Sequence, residues 1–254
     1  MNEQLREKVE RLLLMLLEAT DMSGVKAWAI NVAFKYATEM APSANKTDIW
    51  QSLKEMYQDN LRSVYPDQLE PAQSYRRASG DAWESFLTEY LNASRNLRAE
   101  GIRAVELTGD DFDRLMTRLQ LAGRVRPRDV DLFLQGIDAG GTPQMFGALF
   151  PKTSYAERIR VDEVTSRLLM DKGLWSATVT LDARNELGSE QHPSVKRQTI
   201  NHGAFDACYS LNSDTMPGGR IYTVDLRESG IRTNPLIGGI VRAWRDFQAH
   251  QSTG

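Results

Sequence analysis

The chain has 254 residues, 41% of them hydrophobic and 26% charged, the proportions of a folded globular protein. A chain of this length buries a sizeable core unaided, and its one cysteine, Cys208, excludes both a disulfide framework and a zinc site built on cysteines. The formal net charge of -3 argues against a protein that coats nucleic acid nonspecifically, because neutralised phosphates drive such binding and demand a basic excess. A local basic groove remains compatible with that charge. The longest apolar run, residues 12–17, is too short to span a bilayer, and the opening MNEQLREKVE is not patterned as a secretion signal. The expectation is a cytoplasmic protein with no membrane contact.

The first third reads as helix. Leu5, Val9, Leu12, Leu13, Leu16 and Leu17 recur at helical spacing, and apolar-rich helices follow over about 25–40 and 47–64. Pro66 and Pro71 then break the pattern, which predicts a helical N-terminal subdomain over 1–70 and a core over 71–254. In the core, Ser79 followed by Asp81 suggests an N-cap for a helix that Gly101 stops. A strand over 102–107, a helix from Thr108 ended by Gly123, and a basic connector over 124–128 come next. Two strand-like runs, 129–137 and 144–150, flank Gly140-Gly141 and predict a hairpin. A helix over 155–171, strands over 175–181, 207–211 and 220–226, and a helix over 236–250 complete an α/β pattern with a mixed central sheet flanked by helices.

The hairpin carries the chemistry. With its turn centred near Gly141, Asp131 falls opposite Pro151, within one residue of Lys152. A carboxylate at the start of one strand and a lysine at the end of its neighbour converge at one sheet edge. That pairing suits a divalent cation held beside a scissile phosphate, with the lysine supporting the attacking hydroxide or the developing charge.

The segments RDVDLFL, FGALFPKTS and YAERI resemble the PD-(D/E)XK nuclease core, and in particular type II restriction endonucleases with a Lys-Thr-Ser step followed by Glu-Arg at a helix start. The resemblance extends over roughly 79–179 and is firmest over 129–160, with the catalytic hairpin at 129–153. It implies that Asp131 binds metal, with Asp129 as the alternative two residues earlier, and that Lys152 is catalytic. It also implies Mg²⁺ as cofactor, double-stranded DNA as substrate, and a homodimer, since a two-fold protein matches a palindromic site. The position two before the lysine, an acid in the family, is Phe150 here, with Pro151 between them. The second acid must then come from elsewhere: Glu157 or Glu163 on the following helix, or Glu84 on the helix after Ser79.

Each of these carboxylates has a plainer reading. Ser154-Tyr-Ala-Glu157 fits a capping box, Glu163 fits a solvated helix face, and Glu84 shares a helical face with Leu87 and Leu91. Arg158, Arg160 and Arg167 follow the lysine as candidates for phosphate or guanine contact. Lys196, Arg197, Gln198 and Asn201 form a second candidate DNA-binding stretch. Rival chemistries lack their signatures: His192, His202 and His250 show no ligand spacing, and there is no GxGxxG, GxxxxGK[ST] or GxSxG motif. The reading is a Mg²⁺-dependent, sequence-specific endonuclease. The alternatives are a structure-directed repair nuclease and a non-catalytic DNA-binding or interaction protein on the same fold.

Overall fold

The helical periodicity of the first third appears in the computed structural model, which describes residues 1–19, 24–66, 70–154 and 159–251, as α1 (Glu3–Glu18), α2 (Val25–Met40) and α3 (Lys46–Val64). The next helix, α4 (Pro71–Ala93), starts eight residues before the expected cap at Ser79. Pro71 explains this, because a proline's fixed φ and missing N–H suit a first helical turn. Ser79 instead lies buried within the helix, its hydroxyl donating to the Arg76 carbonyl. Two compact units divide inside α4, Met1–Phe86 and Leu87–Gly254. In the first unit Phe34 packs edge-on against Trp50 and Phe86, each 4.9 Å away.

The second unit opens with the end of α4 and a short α5 (Arg95–Ala99), capped by Ser94, whose hydroxyl accepts from the Leu97 N–H. Then come β1 (Ile102–Val105), α6 (Gly109–Arg118), β2 (Leu132–Ile137), β3 (Pro143–Lys152), α7 (Ile159–Met170) and β4 (Trp175–Thr180). A short α8 (Val195–Thr199), continued by a wider turn over Ile200–Ala204, leads to β5 (Ala207–Ser210), β6 (Ile221–Thr223) and α9 (Pro235–Gln251). The six strands form one sheet in chain order, antiparallel from β1 to β3 and parallel from β3 to β6. The expected mixed sheet flanked by helices is therefore present. The stretch 194–202, a second candidate recognition region with no structure assigned from sequence, falls on α8, its Ser194 cap and the wider turn that follows.

Parallel strands need crossovers, which α7 supplies between β3 and β4 and α8 with its following turn supplies between β4 and β5. On one face Phe133, Ala148, Phe150 and Cys208 pack with Phe112 of α6, Ile159 and Leu169 of α7, and Ile200 and Ala204. On the other, α9 lays Trp244 against Phe146, ring centroids 5.1 Å apart. The approach is close: a Cβ on Gly136 of β2 would stand 2.6 Å from the Trp244 ring. Gly136→Ala is expected to lower Tm by several degrees, on the order of 1–3 kcal/mol, because the buried indole has no room to retreat; thermal melting checks this. The outer edge of β1 is covered by Asn92, whose side-chain amide both donates to and accepts from the Ala104 backbone at 3.0 and 2.9 Å. Among the described residues no helix is long and apolar enough to cross a membrane.

Candidate active site

The site begins with a turn that spans the end of the expected basic connector and the first residue of the expected strand. Pro127–Asp129 forms one 3-10 turn, with the Asp129 carboxylate accepting from the Arg126 amide at 2.9 Å and from its guanidinium at 3.0 Å through each of two nitrogens. These bonds from Arg126 hold the Asp129 carboxyl below the ordinary carboxylate range. Asp129 is thus engaged in shaping the chain. Strand pairing starts only at Leu132, and Asp131 stands just ahead of it.

The hairpin register is Leu132↔Leu149, shifting at a bulge between Leu134 and Gln135. Continued one step, it sets Asp131 level with Phe150, one residue from the expected Pro151. Period-two alternation then puts Phe150 and Lys152 on the same sheet face as Asp131 and Phe133. Phe150 is fully buried there, 5.6 Å from the ring of Phe205. The place where an acid was sought is therefore part of the hydrophobic core.

Lys152 Nζ lies 2.7 Å from Asp131 Oδ2 and 3.6 Å from Asp162 Oδ2. Asp162 comes from the first turn of α7, where a carboxylate favours the helix dipole. It is there because Ile159, Asp162, Ser166 and Leu169 form the stripe of α7 that packs on the sheet, with Ser166 bonded to Ser176 of β4 at 2.6 Å. Glu163, one position round the helix, faces away and pairs with Arg167 at 3.0 Å. The helix after the lysine thus brings a second carboxylate beside Lys152, at a residue not among the sequence candidates. The signal available for it was its place three residues after Ile159 and seven before Leu169, on the apolar face of the helix.

The three side chains are between 11% and 16% exposed. Their charges are shielded enough to interact strongly, yet a ligand can reach them. Among the described residues no cluster of three His, Cys, Asp or Glu side chains stands ready for a metal. The donors present are two carboxylates, and hard oxygen donors of this kind suit Mg²⁺, which binds through one or two carboxylates and keeps its remaining waters. Asp131, Lys152 and Asp162 together carry one net negative charge. A divalent cation reverses it to one net positive charge, the complement of a phosphodiester.

The other sequence candidates fall as follows. Glu157 and Arg158 lie outside the described residues. Glu84 is half-buried on α4 in the first unit, whereas this site is built from the second. Arg160 is exposed on the first turn of α7. Lys196 pairs with Glu186, the Gln198 amide donates to the Pro193 carbonyl at 3.3 Å, and the Asn201 carbonyl accepts from the Arg220 amide at 3.0 Å. Arg197 corrects the expectation of a DNA-facing side chain: it is buried, and its guanidinium donates to the carbonyls of Leu187, Gly188 and Met216.

No protein-family model matches the chain. It is 36% identical over 207 residues to the type II restriction enzyme AgeI of Thalassovita gelatinovora, across 74% of this chain and 72% of that one. A solved complex of specific restriction endonuclease AgeI with DNA is similar over 95% of this chain and 92% of its own, at 31% identity and a TM-score of 0.78. A complex of pre-specific restriction endonuclease BsaWI with DNA covers 99% and 96%, at 19% identity and a TM-score of 0.50, a likeness of fold alone.

Proposed function

The chain belongs to the type II restriction enzymes, and on that footing we propose that it is a Mg²⁺-dependent endonuclease that cuts double-stranded DNA at a short palindromic site, as a homodimer in the cytoplasm. The observation that carries this reading is the convergence of Asp131, Asp162 and Lys152 at the C-terminal edge of β3. Asp131 and Asp162 would hold the cation. Bound there, Mg²⁺ supplies polarisation of the phosphate and a more acidic water. Lys152 holds its ammonium between the carboxylates, where it orients the attacking water by hydrogen bonding and balances the charge that grows on the phosphate oxygens. The fixed turn of Arg126 and Asp129 sets where Asp131 enters the site. The packing of α7 sets Asp162, so neither carboxylate has to be ordered when DNA arrives.

A two-fold dimer follows from the substrate, because each strand of a palindrome offers the same bond to one copy of the site. Digestion of a fully sequenced phage DNA by the purified protein tests the proposal. Discrete fragments that form only with Mg²⁺ are expected, and their ends give the site. A smear would replace the reading with a nonspecific or structure-directed nuclease. DNA bound but left intact at every divalent metal tried would replace it with a binding protein on a nuclease fold.

A further inference from the structure

At the C-terminal ends of the parallel strands, Lys152, Thr180, Ser210 and Thr223 are neighbours in register. The chain leaving β4 stays bonded to this row: the Leu181 N–H donates to the Lys152 carbonyl at 3.1 Å and the Ala183 N–H to that of Thr153 at 3.2 Å. Between them Asp182 is fully buried with its backbone in the left-handed region, φ 43°. Burial pushes its carboxyl up from the usual range, and such a group is costly unless hydrogen-bonded. Its carboxylate accepts from the Glu186 amide at 2.6 Å and the Thr215 hydroxyl at 3.0 Å, and its carbonyl accepts from the Asn212 side-chain amide at 3.3 Å.

Arg197 repeats the tie one residue along in both loops. Its guanidinium donates to the Leu187 carbonyl at 3.0 Å, the Gly188 carbonyl at 3.0 Å and the Met216 carbonyl. The aspartate therefore holds Glu186 and Thr215, and the arginine holds the next residues, Leu187 and Met216. One nitrogen of that guanidinium, Nη1, is buried without a hydrogen-bond partner among the described residues, a desolvation cost that apolar packing would avoid. What the two buried charges provide is a fixed relation between the loops after β4 and β5, beside the strand end that presents Lys152. On the first of these loops Arg184 and Asn185 are exposed, and neither side chain is hydrogen-bonded to another described residue.

We propose that Arg184 and Asn185 read base edges of the duplex beside the bond to be cut, and that Asp182 and Arg197 are the positioning residues that hold them there. Both side chains carry the right donors and acceptors, since a guanidinium is bidentate to guanine O6 and N7, and a side-chain amide to adenine N6 and N7. The bonds from Leu181 and Ala183 to the Lys152 strand end make this loop continuous with the cutting site. The inference rests on the reading of the chain as a DNA endonuclease.

The test uses the full chain and the site found by phage digestion. Cleavage is measured on the cognate duplex and on duplexes with one base pair changed, for wild type, Arg184→Ala, Asn185→Ala and Asp182→Asn. For the first two variants the preference for cognate over one particular changed duplex is expected to fall about 10- to 100-fold, with Tm unchanged. For Asp182→Asn the same preference falls through a higher KM, while kcat on the cognate duplex stays within a few-fold. Wild-type discrimination in both surface variants overturns the base-reading assignment, and a lowered Tm with unchanged discrimination in Asp182→Asn overturns the positioning role. Where Asp182→Asn does not fold, the surface variants decide. If wild type binds but does not cut, the endonuclease reading fails alone and binding discrimination decides the inference; if it neither binds nor cuts, both fail.

Discussion

Lys152→Ala is expected to slow DNA cleavage by about 10²- to 10⁴-fold while binding of uncut duplex stays within a few-fold. The ammonium stands 2.7 Å from Asp131 and 3.6 Å from Asp162, so in the proposed site its removal takes away the positive charge that would face the reacting phosphate. It also leaves two carboxylates facing each other without a shared counter-ion. Duplex affinity comes mostly from contacts spread along the phosphate backbone, and the loss of one lysine changes that sum little. Single-turnover cleavage and a gel-shift titration separate the two quantities. Wild-type cleavage by Lys152→Ala would remove this lysine from the chemistry.

The second large effect distinguishes two adjacent acids on α7. Asp162→Asn is expected to reduce cleavage by about 10²- to 10³-fold, whereas Glu163→Gln stays within about three-fold, because Asp162 faces Lys152 while Glu163 pairs with Arg167 on the helix surface. The amide keeps the shape of the carboxylate and removes its charge, so the loss reflects weaker cation retention and should narrow as Mg²⁺ is raised. Initial rates across a Mg²⁺ series for both variants check this. An inactive Glu163→Gln beside an active Asp162→Asn would transfer the role to Glu163.

The hairpin, its aspartate and its lysine were legible in the sequence because strand alternation and a glycine turn are local signals. The choice between Asp129 and Asp131 was less so, since both lie on one strand face by alternation alone. It takes the Arg126 turn to show that Asp129 is already engaged. The sequence offered Glu157 and Glu163 on the helix after the lysine and Glu84 on an earlier one, because family precedent and helix position name an element more readily than a residue. Asp162 sits instead within the buried stripe, where an acid looks out of place until Lys152 is opposite it. Arg197 misled for the same reason: basic side chains are mostly exposed, and nothing local to it announces three backbone carbonyls drawn from two distant loops. The start of α4 was missed because Ser79 offers a plausible cap, while Pro71 reads as a break as readily as a beginning.

The sheet is antiparallel on one side of β3 and parallel on the other, and this bears on the order in which the site assembles. The β2–β3 hairpin closes over a connection of residues 138–142, while β4 reaches β3 only after α7 has crossed the sheet. Contacts near in sequence form sooner than those that must first close a long loop. Asp131 and Lys152 are therefore expected to meet with the hairpin, each neutralising the other, and Asp162 to arrive with the crossover. If the proposed site is the cleavage site, that order has the salt bridge precede the second carboxylate, and cleavage is expected to appear only once the long-range packing is complete.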